Sequence, residues 1–310
     1  MIDREPTLVI MAAGLGSRYG GNKQTEGIGP NHEMLMEYSL FDAVRAGFDK
    51  AVFIIKPEME PLIEALCGEL VRSCRTKSGR ALEVHYAVQD FTSLPSFYAV
   101  PAGRVKPFGT VHAALCARPY VNEPFAIINA DDYYGVDAFA VMHDCLSALP
   151  ANEAAMVGYR LKNTVSEYGS VTRGVCTLKK GQLAGIKETY KITLFPDGTI
   201  RDTATDSAGV LLPPDALVSM NFWGYLPTIF DDMQSAFDDF LHTLAPDDIK
   251  SEYVLPSMMD QLMHAGKLRV RVLSTNAVWF GMTYPQDKPL VQQSLLKLHE
   301  QGVYPPTLLG

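Results

Sequence analysis

Cysteine is scarce and poorly placed for cross-linking: the 310 residues hold five, Cys67, Cys74, Cys116, Cys145 and Cys176, with no CxxC pair among them. A disulfide framework and a zinc ribbon are unsuited to that pattern, and the thiols read as reduced and mostly in the core. Long apolar runs are missing too, since no stretch approaches the roughly 20 residues that span a bilayer. The opening "MIDREPTLVIMAAG" mixes charges of both signs with a very short apolar run, unlike a signal peptide. The expectation is a soluble cytoplasmic protein with no membrane partner. Basic residues are in deficit, 27 against 35 acidic, for a net charge of −8. That balance disfavours nucleic acid as the main ligand, because nothing offsets long-range repulsion from a polyanion, whereas a small phosphorylated ligand needs only local positive charge. The seven histidines show neither HExxH nor clustered spacing. There is no internal repeat, low-complexity linker or C-terminal hexapeptide array, so one continuous domain is expected. Homo-oligomerisation is left open.

What is present is a core-forming composition, 47% hydrophobic. In the first half, short β-branched runs alternate with helical patterns, the sequence form of a parallel sheet with crossover helices. Strands are expected at Leu8–Ala12, Ala51–Ile55, Leu82–Val88 and Phe125–Ile128. Helices are expected near Glu37–Ala46, Glu60–Ser73, Thr110–Ala117 and Ala138–Leu149. The stretch "YSLFDAVRAGF" puts Leu40, Phe41, Val44 and Phe48 on one face, with Asp42 and Arg45 opposite. From about 155 to 225 the runs shorten between turn signals and read as mixed or antiparallel β structure. Two helices, Ile229–Thr243 and Glu252–Ala265, a strand at Leu268–Leu273 and a helix near Gln286–Glu300 close the chain. The expected division is a lobe over about 1–150, a β-rich lobe over about 151–225 and closing elements over about 226–310.

The stretch "MAAGLGSRYGGNKQ", residues 11–24, follows the first strand and is rich in glycine with two cations. It is not a dinucleotide fingerprint, because Tyr19 stands where GxGxxG needs its third glycine. Nor is it a P-loop, because Asn22 separates Gly21 from Lys23 and Gln24 supplies no hydroxyl. In open parallel sheets ligands bind beyond the carboxyl ends of the strands. There the sequence offers Arg18 and Lys23 after the first strand, Gln89 after the third, and Asp131 and Asp132 after the fourth. A basic loop facing carboxylates points to phosphates and magnesium, a hard cation that takes oxygen ligands. The pairs Asp231-Asp232, Asp238-Asp239 and Asp247-Asp248 read instead as a solvated helix face and a turn. His112 reads as a core histidine, and the proline-containing connection from Gln89 to Gly109 as a lid or a surface loop.

The glycine-rich stretch resembles the signature loop of the sugar-1-phosphate nucleotidyltransferases, in which GxGxR is followed shortly by a lysine. "GTVHAALCARPYVNEPFAIINADD", residues 109–132, is similar in particular to UTP–glucose-1-phosphate uridylyltransferases. "YAVQ" at 86–89, "EYGSV" at 167–171 and "IKET" at 186–189 resemble later segments. The resemblance implies a Rossmann-like, mostly parallel mixed sheet flanked by helices, with the smaller β-rich lobe binding sugar. It implies that a nucleoside triphosphate, UTP or dTTP, and a sugar 1-phosphate are joined with loss of pyrophosphate. The nucleotide would lie on Ala12, Ala13, Gly14, Leu15 and Gly16, with Gln89 and Gly109 near the base. Arg18, Lys23 and Asp131 would be catalytic, and Asp131 would bind Mg2+. Tyr168, Gly169, Glu188, Lys191 and Asn221 would serve the sugar. One departure is Gly281 in "WFGMT", where the family often carries a second metal carboxylate. It leaves Asp132, or phosphates and water, to complete the shell. Two rival readings share this fold: a non-catalytic nucleotide-sugar-binding regulatory protein, and a cytidylyltransferase acting on phosphocholine or another alcohol phosphate.

Overall fold

The computed structural model describes residues 5–14, 27–179, 182–281 and 284–309. The first half is β1 (Thr7–Met11), α1 (Leu35–Ala46), β2 (Lys50–Ile55), α2 (Glu60–Ser73), β3 (Glu83–Val88), α3 (Thr110–Ala117), β4 (Phe125–Asn129), a short β5 (Asp132–Tyr133) and α4 (Val136–Leu146). There follow β6 (Glu153–Arg160), β7 (Val171–Lys179), β8 (Gln182–Leu194), β9 (Ile200–Asp202), β10 (Val210–Leu212) and β11 (Leu217–Tyr225). The chain closes with α5 (Ile229–Thr243), α6 (Leu255–His264), β12 (Arg269–Ser274), β13 (Phe280–Gly281) and α7 (Lys288–Glu300).

One mixed sheet carries 11 of these strands. Strands β4, β1, β2 and β3 lie side by side and parallel, so their carboxyl ends share one edge. The runs of β1, β2 and β4 are buried and almost wholly apolar, as both faces demand, whereas β3 is the half-exposed edge strand: Leu8, Ile10, Phe53 and Ile55 pack toward α1, α2 and α4, while Val9, Val52, Ile54 and Ala87 pack toward α3, α5 and α6. Beyond β4 the pairing turns antiparallel, through β11 to β7, β8, β9 and β10, with β6 on the other side of β11. A fold with a mostly parallel half and a β-rich half is thus observed. Among the described residues no helix is long and apolar enough to cross a membrane.

Strand β11 is where the two halves part. Val218 and Ser219 pair with β7, whereas Trp223–Tyr225 pair with β4, and the ladder to β6 shifts register between Ser219 and Trp223. Asn221 sits in this break at φ +60°, a left-handed conformation that asparagine tolerates better than most residues. The sheet therefore forks, with the ends of β4 and β7 separated at residues 220–222.

Helix α1 differs from the sequence expectation in its outer face. Asp42 is buried, not solvated, because the C-terminal segment covers it and Tyr304 donates a hydrogen bond to Asp42 Oδ2 at 2.6 Å. Periodicity of one helix cannot report a covering segment from 260 residues away. The connection 90–108 is strapped down: the fully buried Arg104 guanidinium lies 3.6 Å from the centre of the Phe108 ring. It donates to the carbonyls of Lys106, Pro107, Asp248 and Ser251. Asp248 itself forms a turn, accepting from the Lys250 and Ser251 backbones, and Asp231 pairs with Arg118 across an exposed surface.

Candidate functional site

Two cavities open at the carboxyl edge of the sheet. The first, of about 530 Å³, lies over the ends of the parallel strands and is lined by Met11, Ala13, Gly14, Lys56, Gln89, Gly109 and Asp131, among others. The order of the strands sets the order of the groups. Asp131 follows β4, the glycine-rich segment leaves β1, Lys56 follows β2 and Gln89 follows β3. Ala12 is fully buried and donates to Ile54 O, extending the β1–β2 ladder by one bond before the chain reaches Ala13 and Gly14 on the cavity wall.

Gly109 closes the far wall. Its φ of +96° is one that L side chains rarely adopt, and a Cβ there would stand 2.5 Å from Tyr253 O. The close approach lets Val111 N–H donate to Tyr253 O and Tyr253 N–H to Phe108 O, which fixes the start of α3. Gln89 is buried, and its Nε2 donates to Gly109 O at 3.3 Å. His112, one turn into α3, is a core residue: it stacks on Phe237 and meets Ser93 Oγ, and burial lowers its pKa to about 4.

The second cavity, of about 570 Å³, fills the fork between β4 and β7. Glu188 of β8, Gly174 of β7 and Ser219 of β11 stand in register, so their side chains belong to one row on one face. Glycine in the middle of that row leaves the hollow. Glu188 Oε2 is buried and has no hydrogen-bond partner among the described residues. Burial raises the Glu188 pKa, and the nearby Arg173 only partly counters it. Arg173 is itself buried, donating to the carbonyls of Thr164 and Thr172 and lying 4.9 Å from the centre of the Trp279 ring. Asn221 completes the wall from the break in β11.

The cavities meet at the end of β4. Asn129 lines both, Asp131 lines the first and Asp132 the second. Asp132 is held in place: Asn129 Nδ2 donates to its Oδ2 at 2.8 Å, and the Tyr134 hydroxyl lies 3.2 Å from the same oxygen. That buried hydroxyl is also 2.9 Å from Met220 O and accepts from Asn129 N–H, so it ties the β4 end to the bulge of β11. Gly281 pairs with Asp132, and a Cβ at 281 would fall 2.6 Å from Asp132 Oδ1. The Asp132 carboxylate therefore occupies the space that a side chain at 281 would need. Among the described residues no group of three or more His, Cys, Asp or Glu is placed to hold a metal. Two adjacent carboxylates at a cavity junction still suit magnesium, which takes one or two carboxylates and draws the rest of its shell from phosphate oxygens and water.

Of the residues singled out in the sequence, Ala13, Gly14, Gln89, Gly109 and Asp131 come together around the first cavity, and Glu188 and Asn221 around the second. Gly169 lies behind the second, packed against Tyr284, whose ring is part of the wall. Tyr168 is exposed in the turn beside it, and Lys191 is exposed on β8; neither lines either of these two cavities. Leu15, Gly16, Arg18 and Lys23 lie outside the described residues. Lys56, Asn129, Arg173, Ser219 and Trp279 were missed. Lys56 and Asn129 carried a readable signal, since each stands at the carboxyl end of an expected strand. Arg173, Ser219 and Trp279 carried none, because only the fork makes them neighbours.

No protein-family model matches the chain, and no curated protein is significantly similar in sequence. Solved structures share its fold. The inositol-1-phosphate CTP transferase of T. maritima superposes with a TM-score of 0.61 at 13% identity, over 96% of this chain and 97% of that one. A Bacillus anthracis protein described as a glucose-1-phosphate thymidylyltransferase, solved with a sucrose, gives 0.60 at 11% identity over 93% and 94%. A UDP-glucose pyrophosphorylase solved with UDP-glucose gives 0.57 at 17% identity over 94% and 99%.

Proposed function

We propose that the protein is a nucleotidyltransferase that joins a nucleoside triphosphate, UTP or dTTP, to a sugar 1-phosphate, releasing pyrophosphate. The observation that carries this reading is the pair of cavities that meet at Asn129, Asp131 and Asp132. Two substrates whose phosphates must touch need two such compartments with one junction. The three similar structures are of proteins described as an inositol-1-phosphate CTP transferase, a glucose-1-phosphate thymidylyltransferase and a UDP-glucose pyrophosphorylase.

In this reading the triphosphate lies across the first cavity with its phosphates at the glycine-rich segment, where Ala13 and Gly14 let backbone approach phosphate oxygen. The sugar lies in the second cavity, where Glu188 accepts from a hydroxyl and Asn221 can donate or accept. An oxygen of the sugar phosphate attacks the α-phosphorus in line; the new O–P bond forms as the α–β bridge breaks, and the electron pair leaves on pyrophosphate. No protein nucleophile is required, so positioning and charge stabilisation carry the rate. Arg18 and Lys23 stabilise charge on the departing phosphates. Asp131, with Asp132 beside it, would hold magnesium, which when bound offsets repulsion among the phosphates. Asn129 and Tyr134 fix the orientation of Asp132.

A second reading, cytidyl transfer to an alcohol phosphate, has the T. maritima CTP transferase in its favour. Pyrophosphate release measured across four nucleoside triphosphates and a panel of sugar and alcohol phosphates, with and without magnesium, decides between them. Turnover of UTP or dTTP with a sugar 1-phosphate is the expected result; turnover of CTP alone supports the second reading. Binding of a nucleotide-sugar without turnover of any pair would overturn both in favour of a regulatory protein.

A further inference from the structure

Lys56 is an unexplained cation on the wall of the first cavity. It is half-buried at the carboxyl end of β2, and among the described residues its ammonium has no hydrogen-bond or carboxylate partner. The other lysine on that wall, Lys106, is paired with Glu252 at 2.6 Å. Lys56 and Gln89 are neighbours by construction. Ile55 pairs with Val88 in the parallel ladder and Gln89 N–H donates to Ile55 O, so the next two residues emerge side by side, about 4.8 Å apart along the edge. Ile54 and Ala87, two residues earlier, both face the α3 layer, which sends Lys56 and Gln89 toward the same side.

Strand order separates this pair from the phosphate end. Asp131 and the glycine-rich segment belong to β4 and β1, whereas Lys56 and Gln89 belong to β2 and β3, farther along the edge. A nucleotide with phosphates at the first pair reaches the second with its base. The surroundings there suit a planar ring: Ile54, Val105, Pro107 and Ala113 are apolar. The Gln89 amide is oriented by its partner, because Gly109 O can only accept. One of the two Nε2 hydrogens is thereby engaged, and Oε1, which takes no hydrogen bond among the described residues, can accept from a ligand.

We propose that Lys56 is a specificity-determining residue that donates to the C4 carbonyl of the nucleobase beside Gln89 Oε1, selecting the imide edge of uracil or thymine over cytosine. This inference rests on the functional reading above. An imide edge offers a ring N–H for Gln89 Oε1 flanked by carbonyls for the ammonium. Cytosine opposes both: its ring nitrogen sets a lone pair against Oε1, and its amino group sets donors against a cation.

The test is equilibrium binding of UTP, dTTP and CTP, each with magnesium, to the wild-type protein and to Lys56→Met, which keeps an unbranched apolar stem and drops the charge. Thermal unfolding checks that the variant is folded. Wild-type protein is expected to bind UTP and dTTP more tightly than CTP, and Lys56→Met to lose about tenfold of that preference through weaker UTP and dTTP binding. An equal loss for all three nucleotides would place Lys56 on the phosphates and overturn the proposal. An unchanged preference, or a wild-type preference for CTP, overturns it as well. Wild-type protein that binds none of the three overturns the functional reading and this inference together.

Discussion

The two cavities are built by different means. In the first, the polar groups Lys56, Gln89, Asn129 and Asp131 stand at the ends of parallel strands and are placed by a local rule, while the 105–113 segment closes the far wall. The second is made by a failure of pairing, the break in β11 that lets β4 and β7 diverge. Its walls come from β7, β8, β11 and the segment around Trp279 and Tyr284, so no short stretch of chain contains it. The contrast teaches that charged groups can be placed by individual strand ends, while a hollow walled by polar groups from several strands has to be assembled.

The largest expected effect separates the cavities by kinetic parameter. Arg18→Ala should lower kcat by roughly 10²–10³, with little change in the KM of either substrate, because its charge matters most as pyrophosphate departs. Steady-state pyrophosphate release measures this, and an unchanged kcat in folded protein removes Arg18 from the mechanism. A smaller effect is expected on the other side. Glu188→Gln keeps the shape of the side chain but weakens its acceptance from a hydroxyl, and should raise KM for the sugar phosphate about tenfold while leaving that for the nucleotide alone. Equal changes in both would erase the distinction between the compartments.

The smallest effect concerns neither cavity and serves as a control. Asp42 is fully buried, and burial raises its pKa to about 7, with the Tyr304 hydrogen bond countering only in part. The folded state thus holds this proton more tightly than the unfolded chain, whose carboxyl titrates near 3.8. The stability it contributes is full below about pH 4 and is lost as pH rises toward about 7. Asp42→Asn should flatten the fall in melting temperature over that interval without altering turnover. Glu37 is shifted in the same direction, so the slope should shrink and not vanish. A melting curve with the wild-type pH dependence would remove Asp42 as its source.

The parallel half was readable because β1, β2 and β4 are buried on both faces and therefore continuous in apolar character, while the edge strand β3 keeps a β-branched and aromatic run. The expected strands at 8–12, 51–55, 82–88 and 125–128 sit within a residue or so of those observed. The placement of Ala13, Gly14, Gln89, Gly109 and Asp131 around one cavity follows from that legibility. Lys56 shows how the same rule was underused, since it follows the second strand as directly as Gln89 follows the third. In the β-rich half the antiparallel character was legible from turn signals, but Arg173 and Ser219 were not. Their importance depends on which strands flank β11 at each end, a matter of contacts dozens of residues apart. Asp42 failed for a related reason, because its cover arrives from the C-terminal segment.

By itself the sequence determined the alternation of strands and helices, the cluster of glycines and cations after the first strand, and the two aspartates after the fourth. These are local properties, set by backbone propensity, apolar period and the chemistry of adjacent side chains. Tertiary structure alone decided that Asp131 and Asp132 face different cavities, that Glu188 looks across Gly174 into a hollow, and that Asp132 fills the space beside Gly281. Those outcomes depend on strand register and on where the sheet divides, and register is a relation between distant segments that neither segment encodes alone.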